Sequence, residues 1–147
     1  MTQTNKKLHE LTMREAGQLL KDGDLSPVEL TQAFFDRIDE TEDRLHSFIT
    51  LLQDRAMGEA RKSEAEIRSG NYKGPMHGIP IVLKDLYDTA GIRTTSGSQV
   101  DFDRVPTADS TATSRLADAG AVLLGKVTMH EFALGGPDWT TPFEPAC

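Results

Sequence analysis

The sequence predicts an α/β fold in which N-terminal helices precede a parallel or mixed sheet. Two observations indicate this class. Residues 1–73 carry repeated helix-start and helix-stop signals, whereas the chain after Gly74 follows the order strand, helix, strand. The last helix and strand are joined by a short connection at Gly120. Such an alternation favours a sheet with helices packed on its faces.

Two helices are predicted from their N-terminal caps. Thr12 and Glu15 form a capping box that starts a short helix, which continues to about Lys21 and is ended by Asp22-Gly23-Asp24. Ser26 and Glu29 form a second box, with a proline in the first turn. Apolar residues at helical spacing continue this second helix to Leu45.

A short strand and a third helix follow. The β-prone run at 47–52 precedes a helical pattern at 54–69. Ala56, Ala60 and Ile67 fall on the predicted inner side of this helix.

The second half begins with an apolar strand at 79–83, which leads into a loop rich in Gly, Thr and Ser. Asp109 is predicted to cap the next helix, and Gly120 to end it. A second apolar strand covers 121–125. The segment from Gly120 to Lys126 resembles a phosphate-binding loop only superficially, because its interior has a strand pattern.

Composition excludes several classes of function. The chain has 147 residues, a formal net charge of −7 at pH 7 and one cysteine. This acidic balance argues against a nucleic-acid or anionic-membrane surface, since both require clustered Lys and Arg. No apolar run reaches the ~20 residues of a membrane span, and no secretory signal is recognisable. The four histidines show no metal-ligand spacing. We expect a cytoplasmic protein without a metal or cofactor.

Lys84 is the candidate for chemistry, because it follows a buried strand and precedes the hydroxyl-rich loop. A lysine at a strand end is usually a solvated side chain. A desolvated lysine can instead act as a general base towards a hydroxyl nucleophile. By strand alternation, Asp85 is expected to point to the opposite face from Lys84.

Three sequence blocks are similar to the amidase signature family. They are "GPMHGIPIVLKDLYDTAGIRTTSGS", "RLADAGAVLLGKVTMHEFALG" and "PFEPAC", all within residues 74–147. The resemblance implies the N-terminal part of an α/β/α sandwich with a mixed sheet, preceded by helices. It also implies that residues 1–147 form the N-terminal portion of one amidase domain, with a helical lead-in at 1–73 and the start of the α/β core at 74–147.

The resemblance implies hydrolysis of carbon–nitrogen amide bonds by a relay of serine, cis-serine and lysine. Lys84 matches the family's catalytic lysine. Both catalytic serines belong to a Gly/Ser-rich family segment that follows the last matched block, so the chain is expected to be incomplete and inactive alone. Five further residues are expected to line the substrate pocket or support the relay: Ser96, Gly97, Ser98, Met129 and Glu131.

Two other functions share these motifs. One is the A subunit of the glutamyl/aspartyl-tRNA amidotransferase, which releases ammonia from glutamine. The other is a non-catalytic fragment, for which the missing serines argue. The expected ligand is a small amide. The expected partners are a second copy of the chain or, for an amidotransferase, other subunits.

Overall fold

A computed structural model describes residues 6–135, 141–144 and 146–147. These residues form a mixed α/β structure, as predicted. Two 3-10 helices lie at Leu8–Glu10 and Glu131–Ala133. The α-helices are α1 (Met13–Asp22), α2 (Pro27–Leu45), α3 (Gln53–Arg68) and α4 (Thr111–Asp118), and the strands are β1 (Phe48–Leu51), β2 (Pro80–Lys84) and β3 (Val122–Val127).

The helix starts follow the predicted caps in two of three cases. Thr12 and Ser26 both accept hydrogen bonds from backbone N–H groups of the first helical turn, and both capping boxes are complete. The cap of α4 is different from the prediction. Ser110, not Asp109, accepts the N–H of Thr113. The Asp109 carboxylate instead accepts, at 2.7 Å, a hydrogen bond from the N–H of Ala90. Ala90 lies in the loop after β2.

The sheet of the described residues has β3 in its centre. β1 pairs with β3 antiparallel and β2 pairs with β3 parallel, so the order is β1-β3-β2. The mixed sheet is therefore confirmed. Gly125 and Lys126 lie inside β3 and form no phosphate-binding loop.

The core lies where α2 and α3 pack on β3. Ala56 and Ala60 are buried as predicted, whereas Ile67 is only partly buried. The buried apolar residues of this core are Phe35, Ile38, Ala56, Ala60, Val122 and Leu124, and a second cluster joins Ala16, Leu20, Leu25, Leu30 and Ile79.

None of the helices in the described ranges has the length and hydropathy needed to cross a bilayer.

Because β2 and β3 are parallel, their carboxyl ends meet at one edge of the sheet. Lys84 closes β2 and is the register partner of Val127, which closes β3. The loops that follow the two strands therefore start side by side, and they carry the candidate site.

Candidate active site

Lys84 stands at the carboxyl end of β2 with an exposed side chain, between two buried neighbours, Leu83 and Asp85. Asp85 is expected to point to the opposite face from Lys84, and the burial of Asp85 beside the exposed Lys84 agrees with this. Within the described part of the chain, no hydrogen bond or ion pair engages the Lys84 ammonium. The desolvation expected of a catalytic base is not provided by the described residues.

The carboxylate of Asp85 holds the Thr/Ser loop against the end of β2. Its Oδ2 accepts the Thr95 N–H at 2.8 Å and the Thr95 hydroxyl at 2.6 Å. The Asp85 carbonyl accepts the Ser96 N–H at 2.9 Å. Because Asp85 is fully buried, the two Thr95 donors replace the water that Oδ2 loses on folding, whereas Oδ1 accepts no hydrogen bond among the described residues.

Lys126 supplies the charge that balances Asp85, and sequence reasoning missed it. Its Nζ lies 3.2 Å from Asp85 Oδ1, and both side chains are 0% exposed. Burial lowers the pKa of Lys126, and the Asp85 carboxylate opposes this shift. The only sequence signal was a lysine inside an apolar strand, where an unpaired ammonium is costly.

A serine–carboxylate pair links the loop after β2 to the loop after β3. The Ser98 hydroxyl donates to Glu131 Oε1 at 2.6 Å and accepts the N–H of Val100 at 3.1 Å. Ser98 is fully buried and Glu131 partly buried. This contact joins the loop after β2 to the loop after β3, 33 residues away.

Gly97 and Ser96 complete the junction between the two loops. Gly97 has a φ of +67°, and a Cβ on it would lie 2.8 Å from the Met129 carbonyl oxygen. Ser96 also has a positive φ, 55°, and its carbonyl accepts the Phe132 N–H at 2.8 Å. The structure therefore brings together all five residues expected to support the site.

The histidines lie outside this junction. His77 is fully buried in the loop before β2, where Nδ1 accepts the Lys73 N–H and Nε2 lies 3.0 Å from Glu66 Oε2. His130 is exposed. Across residues 6–135, 141–144 and 146–147, no three His, Cys, Asp or Glu side chains group in a way that would hold a metal ion.

The arrangement offers an accessible amine on a fixed strand end. Hydrogen bonds to Asp85 and Glu131 hold the neighbouring hydroxyls of Thr95 and Ser98. Those two hydroxyls are engaged by carboxylates and not by the lysine. Among the described residues, the site thus provides an accessible amine and no serine that is hydrogen-bonded to it.

Comparison with known proteins gives a consistent result. The amidase family matches residues 29–145. The A subunit of the glutamyl-tRNA(Gln) amidotransferase of Natranaerobius thermophilus is 39% identical over 137 residues, which are 93% of this chain and 28% of that protein. An amidase of Pseudomonas putida is 41% identical over 131 residues, 87% of this chain and 27% of that protein. The chain thus spans little more than a quarter of the length of these curated relatives.

Solved structures agree with the sequence matches. The native peptide amidase of Stenotrophomonas maltophilia has a TM-score of 0.75 at 37% identity, over 84% of this chain and 26% of that one. A crystal structure of another amidase has a TM-score of 0.78 at 34% identity, over 90% of this chain and 31% of that one. The resemblance drawn from the motifs, limited to one part of the family's length, is confirmed.

Proposed function

Because the chain belongs to the amidase family, we propose that it supplies Lys84 as the terminal base of an amide-hydrolysing site. The observation that carries the proposal is the position of Lys84. It is an accessible amine at the carboxyl end of a parallel strand, where two cross-linked loops meet. In sheets with parallel strands, this edge is where ligands commonly bind.

In the proposed reaction, the neutral Lys84 amine accepts a proton from a bridging serine. That serine takes the proton of the nucleophilic serine, whose oxygen attacks the amide carbonyl. The carbon–nitrogen bond breaks, the leaving amine is protonated, and water then hydrolyses the acyl-enzyme. The family resemblance assigns both serines to a segment that follows residue 147. We accordingly propose residues 1–147 as the N-terminal portion of one amidase domain.

The competing explanation for Lys84 is an ordinary solvated lysine, and arginine separates the two. A guanidinium keeps the charge of lysine but does not give up its proton near neutral pH. If Lys84 is a base, Lys84→Arg should therefore lose activity. If Lys84 is a solvated surface charge, Lys84→Arg should retain activity.

The test uses protein expressed from the complete gene to its natural stop codon, with ammonia release as the assay. We expect Lys84→Ala and Lys84→Arg each to lower kcat by about 10³-fold or more, as for other members of catalytic relays. Thermal melting should change little, because no hydrogen bond or ion pair of the Lys84 ammonium is lost within the described residues. Lys62→Arg, on the exposed surface of α3, is the matched control and should retain full turnover. An active Lys84→Arg enzyme would refute the proposal.

Residues 1–147 alone provide a second arm of the same experiment. We expect no ammonia above buffer, because the buried Ser98 hydroxyl is bonded to Glu131 and is not available as a nucleophile. Turnover by this chain that disappears in Ser96→Ala or Ser98→Ala would make a loop serine the nucleophile.

A second candidate function is favoured by the names of several relatives. Proteins of 35–40% identity to this chain are A subunits of glutamyl-tRNA(Gln) amidotransferases. For a chain with that role, we propose glutamine as the amide and the other amidotransferase subunits as partners. Ammonia release from glutamine that increases with copurified subunits and charged tRNA would favour this function. Release from simple aliphatic or aryl amides by the isolated protein would favour the amidase. A cytoplasmic location remains a prediction.

A further inference from the structure

We propose that the buried Lys126–Asp85 ion pair is a positioning and charge-cancelling device for Lys84, an inference that rests on the proposed role of Lys84 as a base. Lys126 does not touch the reacting atoms. It acts through Asp85, the residue next to Lys84 in the chain.

The buried ammonium of Lys126 makes two hydrogen bonds and one ion pair. Nζ donates to the Tyr87 carbonyl at 2.9 Å and to the Thr94 hydroxyl at 2.8 Å, and it lies 3.2 Å from Asp85 Oδ1. Two of the three N–H donors of the ammonium are therefore in hydrogen bonds, and the contact with Asp85 Oδ1, which accepts no hydrogen bond from the described residues, is an ion pair. Stability alone does not require charges here, because apolar groups of similar volume often replace buried ion pairs without loss.

These contacts tie three segments to one another. Lys126 belongs to β3, whereas Asp85 and Tyr87 form the turn after β2. In that turn the Tyr87 N–H donates to the Lys84 carbonyl at 3.0 Å. Thr94 begins the loop that continues to Ser98. The ammonium therefore adds a third link between the end of β2 and the loop, beside the bonds of Asp85 to Thr95 and to Ser96.

The charge of Lys126 has a separate consequence. An uncompensated carboxylate beside Lys84 would favour its protonated ammonium and oppose its use as a base. The Lys126 ammonium places a positive charge 3.2 Å from the Asp85 carboxylate. The other charged groups acting on Lys126 are Asp88 and Arg104, which pair with each other at 2.7 and 2.8 Å. Glu131, on the loop after β3, is bonded to Ser98.

The test measures the amine of Lys84 directly in the 147-residue chain. Acetylation of Lys84 by acetic anhydride is followed by mass spectrometry against pH, since only the neutral amine reacts. Lys126→Met leaves Asp85 uncompensated and should raise the pH of half-maximal reactivity. A unit charge ~10 Å away, at an effective dielectric constant of ~20–40, corresponds to about 0.6–1.2 pH units.

The double variant Lys126→Met, Asp85→Asn removes both charges and should return the midpoint to its original value. A purely structural role predicts no such rescue. Lys73→Met removes an ion pair of 2.8 Å with Glu66 and is the matched control, with an unchanged midpoint expected. A midpoint that does not move in Lys126→Met, or does not return in the double variant, overturns the charge-cancelling role.

Thr94→Val tests positioning without disturbing the charges, and it covers the case in which Lys126→Met does not fold. It should increase amide hydrogen exchange at Thr95 and Ser96 by about tenfold relative to α2, while the acetylation midpoint stays constant. Unchanged exchange overturns the positioning role. Neither measurement needs turnover, so an active Lys84→Arg enzyme would refute the proposed function and leave these results interpretable.

Discussion

Gly125→Ala is expected to destabilise the protein strongly, because β1 approaches β3 more closely at Gly125 than a side chain allows. A Cβ at this position would lie 2.4 Å from the Thr50 carbonyl oxygen, and 2.9 and 3.1 Å from two atoms of the Phe48 ring. The obstacle is backbone and an aromatic ring, neither of which can turn aside locally. β1 would have to move by about 1 Å to reach ordinary contact distance.

The cost follows from that movement. Overpacking of a well-packed region costs about 1–3 kcal/mol. Two backbone hydrogen bonds flank the contact, Leu52 N–H to Leu124 and Thr128 N–H to Ser47, at 2.9 and 2.8 Å. Weakening them adds about 1 kcal/mol. The expected loss in the free energy of unfolding is therefore about 2–4 kcal/mol. With an unfolding entropy of ~2.1 cal/mol/K per residue, the melting temperature should fall by about 6–13 °C.

The assay is thermal melting followed by far-UV circular dichroism, with Gly58→Ala as the control. Gly58 is exposed in the interior of α3, and a Cβ there would meet no atom within 4 Å. The same substitution should stabilise this helix by about 0.5–1 kcal/mol, since alanine has the higher helix propensity. If Gly125→Ala melted within about 1 °C of the unsubstituted chain, the close approach of β1 would be wrong.

Two further substitutions test the loop junction and the buried histidine. Gly97→Ala should lower the melting temperature by several degrees, since it combines a left-handed φ of +67° with a Cβ 2.8 Å from the Met129 carbonyl. Gly91→Ala, also at positive φ but with nothing near its Cβ, should cost less. Burial lowers the pKa of His77, so the imidazole binds a proton more readily in the unfolded chain than in the folded one. The free energy of unfolding should therefore fall as the pH drops below about 6.5, by at most ~1.4 kcal/mol per pH unit. In His77→Gln, the denaturant concentration at the unfolding midpoint should depend less on pH between about pH 6.5 and 5.5. An unchanged dependence on pH in that variant would contradict the role of His77.

The helices of the first half were predictable because their signals are local. Thr12 and Ser26 each form a complete capping box within four residues of sequence, and α2 ends at Leu45 as its apolar stripe predicts. The cap of α4 shows the limit of such signals. Asp109 and Ser110 are both good capping residues, and the choice between them depends on Ala90, whose N–H engages Asp109 from 19 residues away.

The sequence names candidate residues for the site, but it does not predict the contacts between them. Lys84 and the Ser96–Ser98 loop have recognisable motifs, whereas the partner of Asp85 lies on another strand. The apolar run around Lys126 did not indicate its partners, because Tyr87 and Thr94 are 39 and 32 residues away. Only the parallel pairing of β2 with β3 brings these groups to the same edge of the sheet.

Gly125 and Lys126 illustrate why a motif can be rejected for one function and still be required. The pair does not bind phosphate as a loop, because both residues lie within β3. Gly125 admits the backbone of β1 on one side of the strand. Its neighbour Lys126 extends to the turn after β2 and forms an ion pair with the buried Asp85. Since consecutive residues of a strand point in opposite directions, one dipeptide fixes the sheet on one side and the candidate base on the other. The strain test on Gly125 and the charge test on Lys126 thus examine two independent functions of a single strand.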